Sequence, residues 1–325
     1  MASSFLHGAY WLALAWLLGT TPACAQNPPA RWPAHTQEVP GGQYKRYYFT
    51  NEALVVEATD GSKRRIEEWV AGVVKISYFA PSRQFQADSS VADASQRVVQ
   101  PRGHDYVDVK LEQPMGLAEA LGIPWHKGLW ENAERIFFIV PAHKTEGGES
   151  TGQALIINKK TLCISIANER GTVYSEASPA YRRQAAASAS GQETSPGHAG
   201  ELAGTGIRFR LAPGERLYSL DARARPLDKS GHRLEFSDQT HSSAQDAEPN
   251  LSAPLPVVLS SRGYLLLFDH ATPGYLDLGK QHPDVLEYGS QGLSSLSYFV
   301  VTGGSQAEIM ARYAALIGQP PFPPR

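Results

Sequence analysis

The sequence predicts an all-β fold, an antiparallel β-sandwich closed by one C-terminal helix. Three observations carry that prediction. Short apolar runs recur from Leu54 onward with the period-two spacing of strands, glycines fall where the chain must reverse, and few helical patterns lie between the runs to serve as parallel crossovers.

Taken in order, the chain opens with an apolar run from Ala9 to Leu18, well short of the ~20 residues a membrane span needs, followed by the small residues Ala23-Cys24-Ala25. Residues 1–25 are therefore expected to be an export signal cleaved after Ala25. The mature chain would be periplasmic or extracellular, with no membrane attachment. Removal of the signal leaves Cys163 as the sole cysteine, so no intramolecular disulfide is expected. The alternating Leu162-Cys163-Ile164-Ser165-Ile166 makes that thiol a small buried hydrophobe. Residues 26–41 read as a flexible N-terminal segment, and residues 42–318 as the sandwich.

Within the sandwich the strand-like runs are Leu54 to Val56, Val73 to Phe79, Tyr106 to Leu111, Ile136 to Val140, Ala154 to Ile157 and Leu162 to Ala167. They continue with Ile207 to Leu211, Val257 to Leu259, Tyr264 to Phe268, Tyr275 to Leu278, Val285 to Tyr288 and Leu296 to Val301. Thr59-Asp60-Gly61-Ser62, Glu169-Arg170-Gly171 and Ser261-Arg262-Gly263 supply hairpin turns. No internal repeat is present. Two stretches interrupt the series. Residues 181–205, small and polar, read as a mobile surface loop, and residues 113–131 as a protruding insert with a short helix at Met115 to Gly122.

The last element is a helix. Ser305 and Glu308 form a capping box, Gly318 stops it, and Ile309, Tyr313, Leu316 and Ile317 fall on one face. That face needs a cover, either the sandwich or something beyond it; in the second case self-association is expected. Residues 319–325 are a proline-rich exit.

The chemistry-bearing patterns are sparse. A formal net charge of −2 gives no basic field for nucleic acid or anionic lipid. The ten histidines show no H-x-H or H-x-x-x-H spacing, so neither a metal nor another cofactor is expected. Gly204-Thr205-Gly206 lacks the third glycine or the lysine of a phosphate cradle. Asp221, Asp228, Glu235, Asp238, Asp269, Asp277, Asp284 and Glu287 are carboxylates mostly beside turns, where capping is their commoner use.

A specific resemblance lies in Phe209-Arg210-Leu211-Ala212-Pro213-Gly214-Glu215-Arg216-Leu217-Tyr218, then Ala224 to Asp228 and Gly231 to Leu234. Ser260 to Tyr264, Phe268-Asp269, Gly274 to Gly279 and Val285 to Gly289 continue it in order. This stretch resembles the N-terminal, galactose mutarotase-like domain of glycoside hydrolase family 31, the α-glucosidases, α-xylosidases and α-glucosyltransferases. The likeness runs over roughly residues 42–325. Where the family tends to read G-L-G-E-R, this chain has Ser219-Leu220-Asp221-Ala222-Arg223 and keeps only the arginine; the family's sugar-reaching W-N-x-D loop is here Phe236-Ser237-Asp238-Gln239-Thr240. The resemblance thus implies Arg223, Phe236, Ser237, Asp238 and Thr240 as the substrate-contacting residues.

The same resemblance places the family's catalytic aspartates in a (β/α)8 barrel that would begin where this sequence ends. The chain is accordingly expected to be a non-catalytic accessory domain of carbohydrate metabolism, a truncated or remnant product partnered by a family 31 barrel in cis or in trans. Two other readings stay open. One is a stand-alone protein binding an α-linked oligosaccharide, for which Trp125, Trp130, Tyr264 and Tyr288 are the available aromatic platforms; the other is a docking domain for a barrel on another chain.

Overall fold

The computed structural model describes residues 36–39, 41–50, 53–70, 72–81, 129–140, 144–145, 148–149, 153–168, 171–185, 202–219, 227–236, 256–269, 274–291 and 295–318. Its strands are β1 (Thr36–Val39), β2 (Tyr44–Phe49), β3 (Leu54–Ala58), β4 (Lys63–Val70), β5 (Val73–Phe79), β6 (Leu129–Glu131), β7 (Arg135–Val140), β8 (Lys144–Thr145), β9 (Gly148–Glu149) and β10 (Gln153–Asn158). They continue with β11 (Ile164–Asn168), β12 (Gly171–Ala185), β13 (Leu202–Arg210), β14 (Leu217–Ser219), β15 (Arg233–Phe236), β16 (Val257–Ser260), β17 (Tyr264–Phe268), β18 (Gly274–Leu278), β19 (Val285–Gln291) and β20 (Ser295–Thr302). One helix, α1 (Gln306–Ile317), follows.

Two antiparallel sheets make the sandwich, as the sequence predicts. One runs β15-β18-β19-β13-β12-β11-β10-β7-β6 with β1 added against β12; the other runs β14-β16-β17-β20-β5-β4-β3-β2. Alternate residues of facing strands, among them Leu54, Ile66, Ile76, Ile136, Ile164, Phe209, Leu266, Leu286 and Tyr298, meet in a shared core. In β20 the unbroken run Leu296 to Val301 is apolar on both sides for a physical reason. Leu296, Tyr298 and Val300 enter that core, whereas Phe299 and Val301 face outward beneath α1.

The helix follows its capping signals. Ser305 Oγ accepts the Glu308 N–H at 3.2 Å, and the Glu308 carboxylate accepts from Gly304 N–H at 2.7 Å and from Arg312 at 2.6 Å. Gly318 caps the other end with a positive φ of 80°. Ile309, Tyr313 and Leu316 are buried against Trp69, Val73, Leu265, Leu267 and Phe299 on the outer face of the eight-stranded sheet. The cover for the apolar helix face is therefore the sandwich itself, and the expectation of self-association through that face loses its basis.

Polar groups also cross the core. Arg64 on β4 pairs with Glu176 on β12 at 2.9 Å, with the two side chains 5% and 0% exposed. The second oxygen of Glu176 accepts the Tyr298 hydroxyl at 2.6 Å, the first also takes the Ile164 N–H at 2.9 Å, and Tyr174 and Tyr298 share a hydrogen bond at 2.8 Å. Burial, and then the neighbouring Glu176 carboxylate, hold both phenols well above their ordinary pKa.

Several elements differ from the sequence reading. Residues 181–185 and 202–205, read as part of a loop, are the paired ends of β12 and β13, because Tyr181 packs its ring over Gly206, where a Cβ would have no room. Thr36–Val39, within the stretch read as flexible, pairs with Arg182 to Ala185. Leu129–Glu131, assigned to the protruding insert, pairs with β7. The expected strand at 106–111 and the insert over 113–128 lie outside the described residues, as do residues 1–35 and 319–325. Cys163 is buried as expected, and in the full 325-residue chain it is disulfide-bonded rather than a free thiol; removal of residues 1–25 would take away Cys24, the only other cysteine in the sequence, and with it that bond.

Candidate functional site

Of the five residues that the resemblance implies for substrate contact, only Phe236 is among the described residues. It ends β15, opposite Gly274 of β18, at an edge of the ten-stranded sheet. Arg223, Ser237, Asp238 and Thr240 lie outside the described residues, and so does Asp221.

Beside β15 the outward face of the same sheet carries a connected polar centre. The Arg233 guanidinium lies 3.7 Å from the Tyr275 ring centroid. Tyr275 donates to Glu287 Oε1 at 2.8 Å, and Tyr181 donates to the same oxygen. Arg208 Nε donates to Glu287 Oε2 at 3.2 Å, its Nη1 pairs with Glu38 at 2.9 Å, and its head sits 4.4 Å over the Tyr181 ring. These side chains come from β1, β12, β13, β18, β19 and β15, which neighbour one another in the sheet. Burial, then the Glu287 carboxylate, push the Tyr181 and Tyr275 phenols well up, so both remain proton donors at every physiological pH. Glu287, 3% exposed and accepting at both oxygens, serves as a fixed acceptor rather than a nucleophile or a proton donor. The centre can position β15 and its neighbours; it does not present a reacting group.

The remaining sequence candidates have structural duties. Asp277, 3% exposed, accepts the Lys280 and Gln281 N–H groups at 2.8 and 3.2 Å. Asp228 accepts the Ser230 N–H at 2.9 Å, and its hydrogen bonds from Ser230 hold its carboxyl below the usual carboxylate range. Both are the turn-capping carboxylates the sequence pattern suggests. Tyr264 and Tyr288 cannot be sugar platforms, since they are 2% and 1% exposed; Tyr288 stacks on Phe268 at 4.0 Å between the sheets. Tyr264 instead donates to Glu215 Oε1 at 2.7 Å, and that carboxylate also takes the Ser260 hydroxyl at 2.5 Å and the Ala212 N–H at 2.8 Å. Glu215 thus ties the Pro213-Gly214 turn to the β16–β17 hairpin, a role that its place in the matched motif signals and its chemistry explains.

Partly exposed aromatics occur instead on β2, a strand the sequence reading did not include. Tyr44, Tyr47 and Phe49 pair with Ala58, Val56 and Leu54, so they share the inward side of an edge strand. Tyr47 and Phe49 meet edge to face at 6.4 Å. Across the mouth of the sandwich, Tyr47 OH lies 3.4 Å from Glu131 at the end of β6, and Lys159 Nζ sits 5.2 Å over the Tyr44 ring while bonding Glu131 at 2.6 Å. Burial, then the Glu131 charge, raise the pKa of both tyrosines. The cluster of four aromatics in Tyr44-Lys45-Arg46-Tyr47-Tyr48-Phe49 was the available signal, masked by the two cations that break alternation.

Two stacked antiparallel sheets, a helix packed on the outer face of one of them and a buried polar seam define an all-β sandwich. Residues 126–277, just under half of the chain, match the family described as the glycosyl hydrolase 31 N-terminal galactose mutarotase-like domain. An uncharacterized family 31 glucosidase from Pseudescherichia vulneris is 32% identical over 119 residues, 36% of this chain and 20% of the relative. An α-xylosidase of Emericella nidulans is 30% identical over 115 residues, 35% of this chain and 14% of that protein. Among solved structures, a family 31 dextranase of Flavobacterium johnsoniae complexed with isomaltotriose shares the fold, with a TM-score of 0.59 and 16% identity, over 87% of this chain and 29% of the dextranase. The chain therefore spans a minor part of the length of the relatives it matches.

Proposed function

We propose that this domain is the non-catalytic, carbohydrate-active accessory part of a family 31 enzyme acting on α-glucosides or α-xylosides, its reacting carboxylates supplied by a barrel on the same or another chain. The family match over residues 126–277 carries this reading. It is supported by the commitment of Glu287, Asp277 and Glu215 to structural hydrogen bonds, which leaves each of them occupied as an acceptor. Glycoside hydrolysis needs two carboxyl groups, one free to give a proton and one to attack or to activate water.

The test uses the chain and a purified family 31 barrel. Alone, the chain should leave aryl α-glucosides and α-xylosides at the buffer rate. Mixed with the barrel, it should form a complex by sedimentation. Turnover by the chain alone that survives repurification and vanishes in Asp238→Asn or Asp221→Asn would overturn the non-catalytic assignment; absence of any complex with the barrel would count against the accessory role.

Export belongs to the same proposal. The apolar core at Ala9 to Leu18 with Ala23 and Ala25 before Gln26 supports a mature chain beginning at Gln26 in the periplasm or outside the cell. N-terminal sequencing of the protein from fractionated cells should return Gln-Asn-Pro-Pro; a start at Met1 in the cytoplasm would refute it.

A further inference from the structure

We infer that the mouth of the sandwich between the edge strands β2 and β6 is a binding surface for an α-linked oligosaccharide, with Phe49 and Tyr47 as its aromatic floor and Glu131 and Lys159 as its polar rim. The inference rests on the carbohydrate-active reading above and adds a place and residues to it.

The surface has the chemistry a neutral sugar requires. Sugar rings present flat C–H faces bordered by hydroxyls, so they are held by aromatic rings with one face in water and by planar or charged groups beside them. Phe49 is 37% exposed, one of two large apolar side chains on the described surface that are not covered. The Glu131 side chain is 41% exposed, and Tyr47 OH reaches it only at 3.4 Å, so its Oε1 retains acceptor capacity toward a hydroxyl. Lys159 Nζ, held between Glu131 and the backbone oxygen of Asn132 at 2.7 Å, fixes the Glu131 carboxylate in place at the rim.

The charges choose between occupants. Lys45 and Arg46 share the Glu57 carboxylate, at 2.7 and 2.8 Å, and Lys159 pairs with Glu131, so the surplus is a single positive charge, too small a field to hold a polyanion. The same two cations stand on the edge strand, a placement that discourages pairing with another chain's strand. A neutral ligand that stacks and hydrogen-bonds meets the surface as it is built.

Titration calorimetry of the full chain with maltotetraose, isomaltotriose and the β-linked control cellotetraose tests this. Saturable binding of an α-linked sugar is expected, weakened about tenfold or more by Phe49→Ala and by Glu131→Gln, with cellotetraose inert. Tyr48→Ala, on the opposite side of β2 beneath Arg46 at 5.6 Å, should leave affinity unchanged. Circular dichroism of each variant guards against misfolding, and Glu131→Gln changes no core contact. No saturable heat up to about 10 mM, equal binding of cellotetraose, or affinity indifferent to both variants would overturn the inference. So would a concentration-dependent dimer abolished by charge substitutions on β2. Capture of a family 31 barrel by a chain that binds no sugar would remove this surface and leave the accessory role standing.

Discussion

Arg64→Met should destabilise the sandwich by about 3–5 kcal/mol, because it leaves the Glu176 carboxylate uncompensated between the two sheets. Arg64 is 4% and Glu176 1% exposed, so water cannot take over the missing charge. The loss will show as a lower urea midpoint with an unchanged slope. Combining Arg64→Met with Glu176→Gln should recover most of it. The amide carbonyl still accepts from Tyr298 or Ile164, and the ionic requirement has gone. A single variant within about 0.5 kcal/mol of the parent, or a double variant no better than the single, would mean that the pair is not what joins β4 to β12.

Glu68→Gln should do the reverse and stabilise the protein at neutral pH and above. Glu68 lies on β4 beyond the last β3–β4 pair, Leu54 with Ile66, and opposite Val74, which puts its side chain on the core side. It is 5% exposed, neither carboxylate oxygen has a hydrogen-bond partner among the described residues, and burial pushes its pKa up to about 7 from 4.5. Below pH 4.5 both folded and unfolded chains hold the proton, and nothing is lost. Between 4.5 and 7 the unfolded chain releases it while the folded chain keeps it, so stability falls as pH rises and levels off above 7. At 1.36 kcal/mol per pH unit the gap amounts to about 3 kcal/mol. Unfolding measured from pH 4 to 8 should show the variant losing that descent. Parallel pH profiles for the two proteins would show that Glu68 finds a partner or water in solution.

The strands legible in the sequence were those whose two faces are both buried or cleanly alternating. Val73 to Phe79, Tyr264 to Phe268 and Leu296 to Val301 sit in the middle of the eight-stranded sheet, and their apolar runs record core on one side and helix or covered face on the other. β4, Lys63–Val70, was not legible because its inward residues include Arg64, whose burial depends on Glu176 more than a hundred positions away. Long-range pairing of this kind leaves no local period. β12 hid for similar reasons: Glu176 and Arg183 are buried charges, and Pro179 breaks the strand pattern while register shifts flank it. The helix was readable to its caps because capping is a local transaction among Gly304, Ser305 and Glu308. What covers its apolar face was not, since that is a matter of tertiary packing.

The candidate site was less legible than the fold. Tyr264 and Tyr288 looked like available platforms because a tyrosine on a strand does not announce which face it is on, and both proved to be core. The β2 aromatics went unread for the opposite reason, since their strand is an edge whose polarity follows its exposure. The Glu287 centre, drawn from β1, β12, β13, β18 and β19, comes together only once the sheet order is known.

That order bears on how the protein is made. β20 is the last of the described strands in the sequence, yet it lies between β17 and β5, so the β2–β5 meander and the β14–β16–β17 group are not paired within their sheet until it arrives. A ribosome must therefore release Thr302 before the eight-stranded sheet can close, and the earlier strands wait with a side of β5 unpaired. Such late closure by a distant strand makes folding slow and the nascent chain dependent on protection from aggregation. Arrival of β20 is thus the step that commits the eight-stranded sheet to its native order.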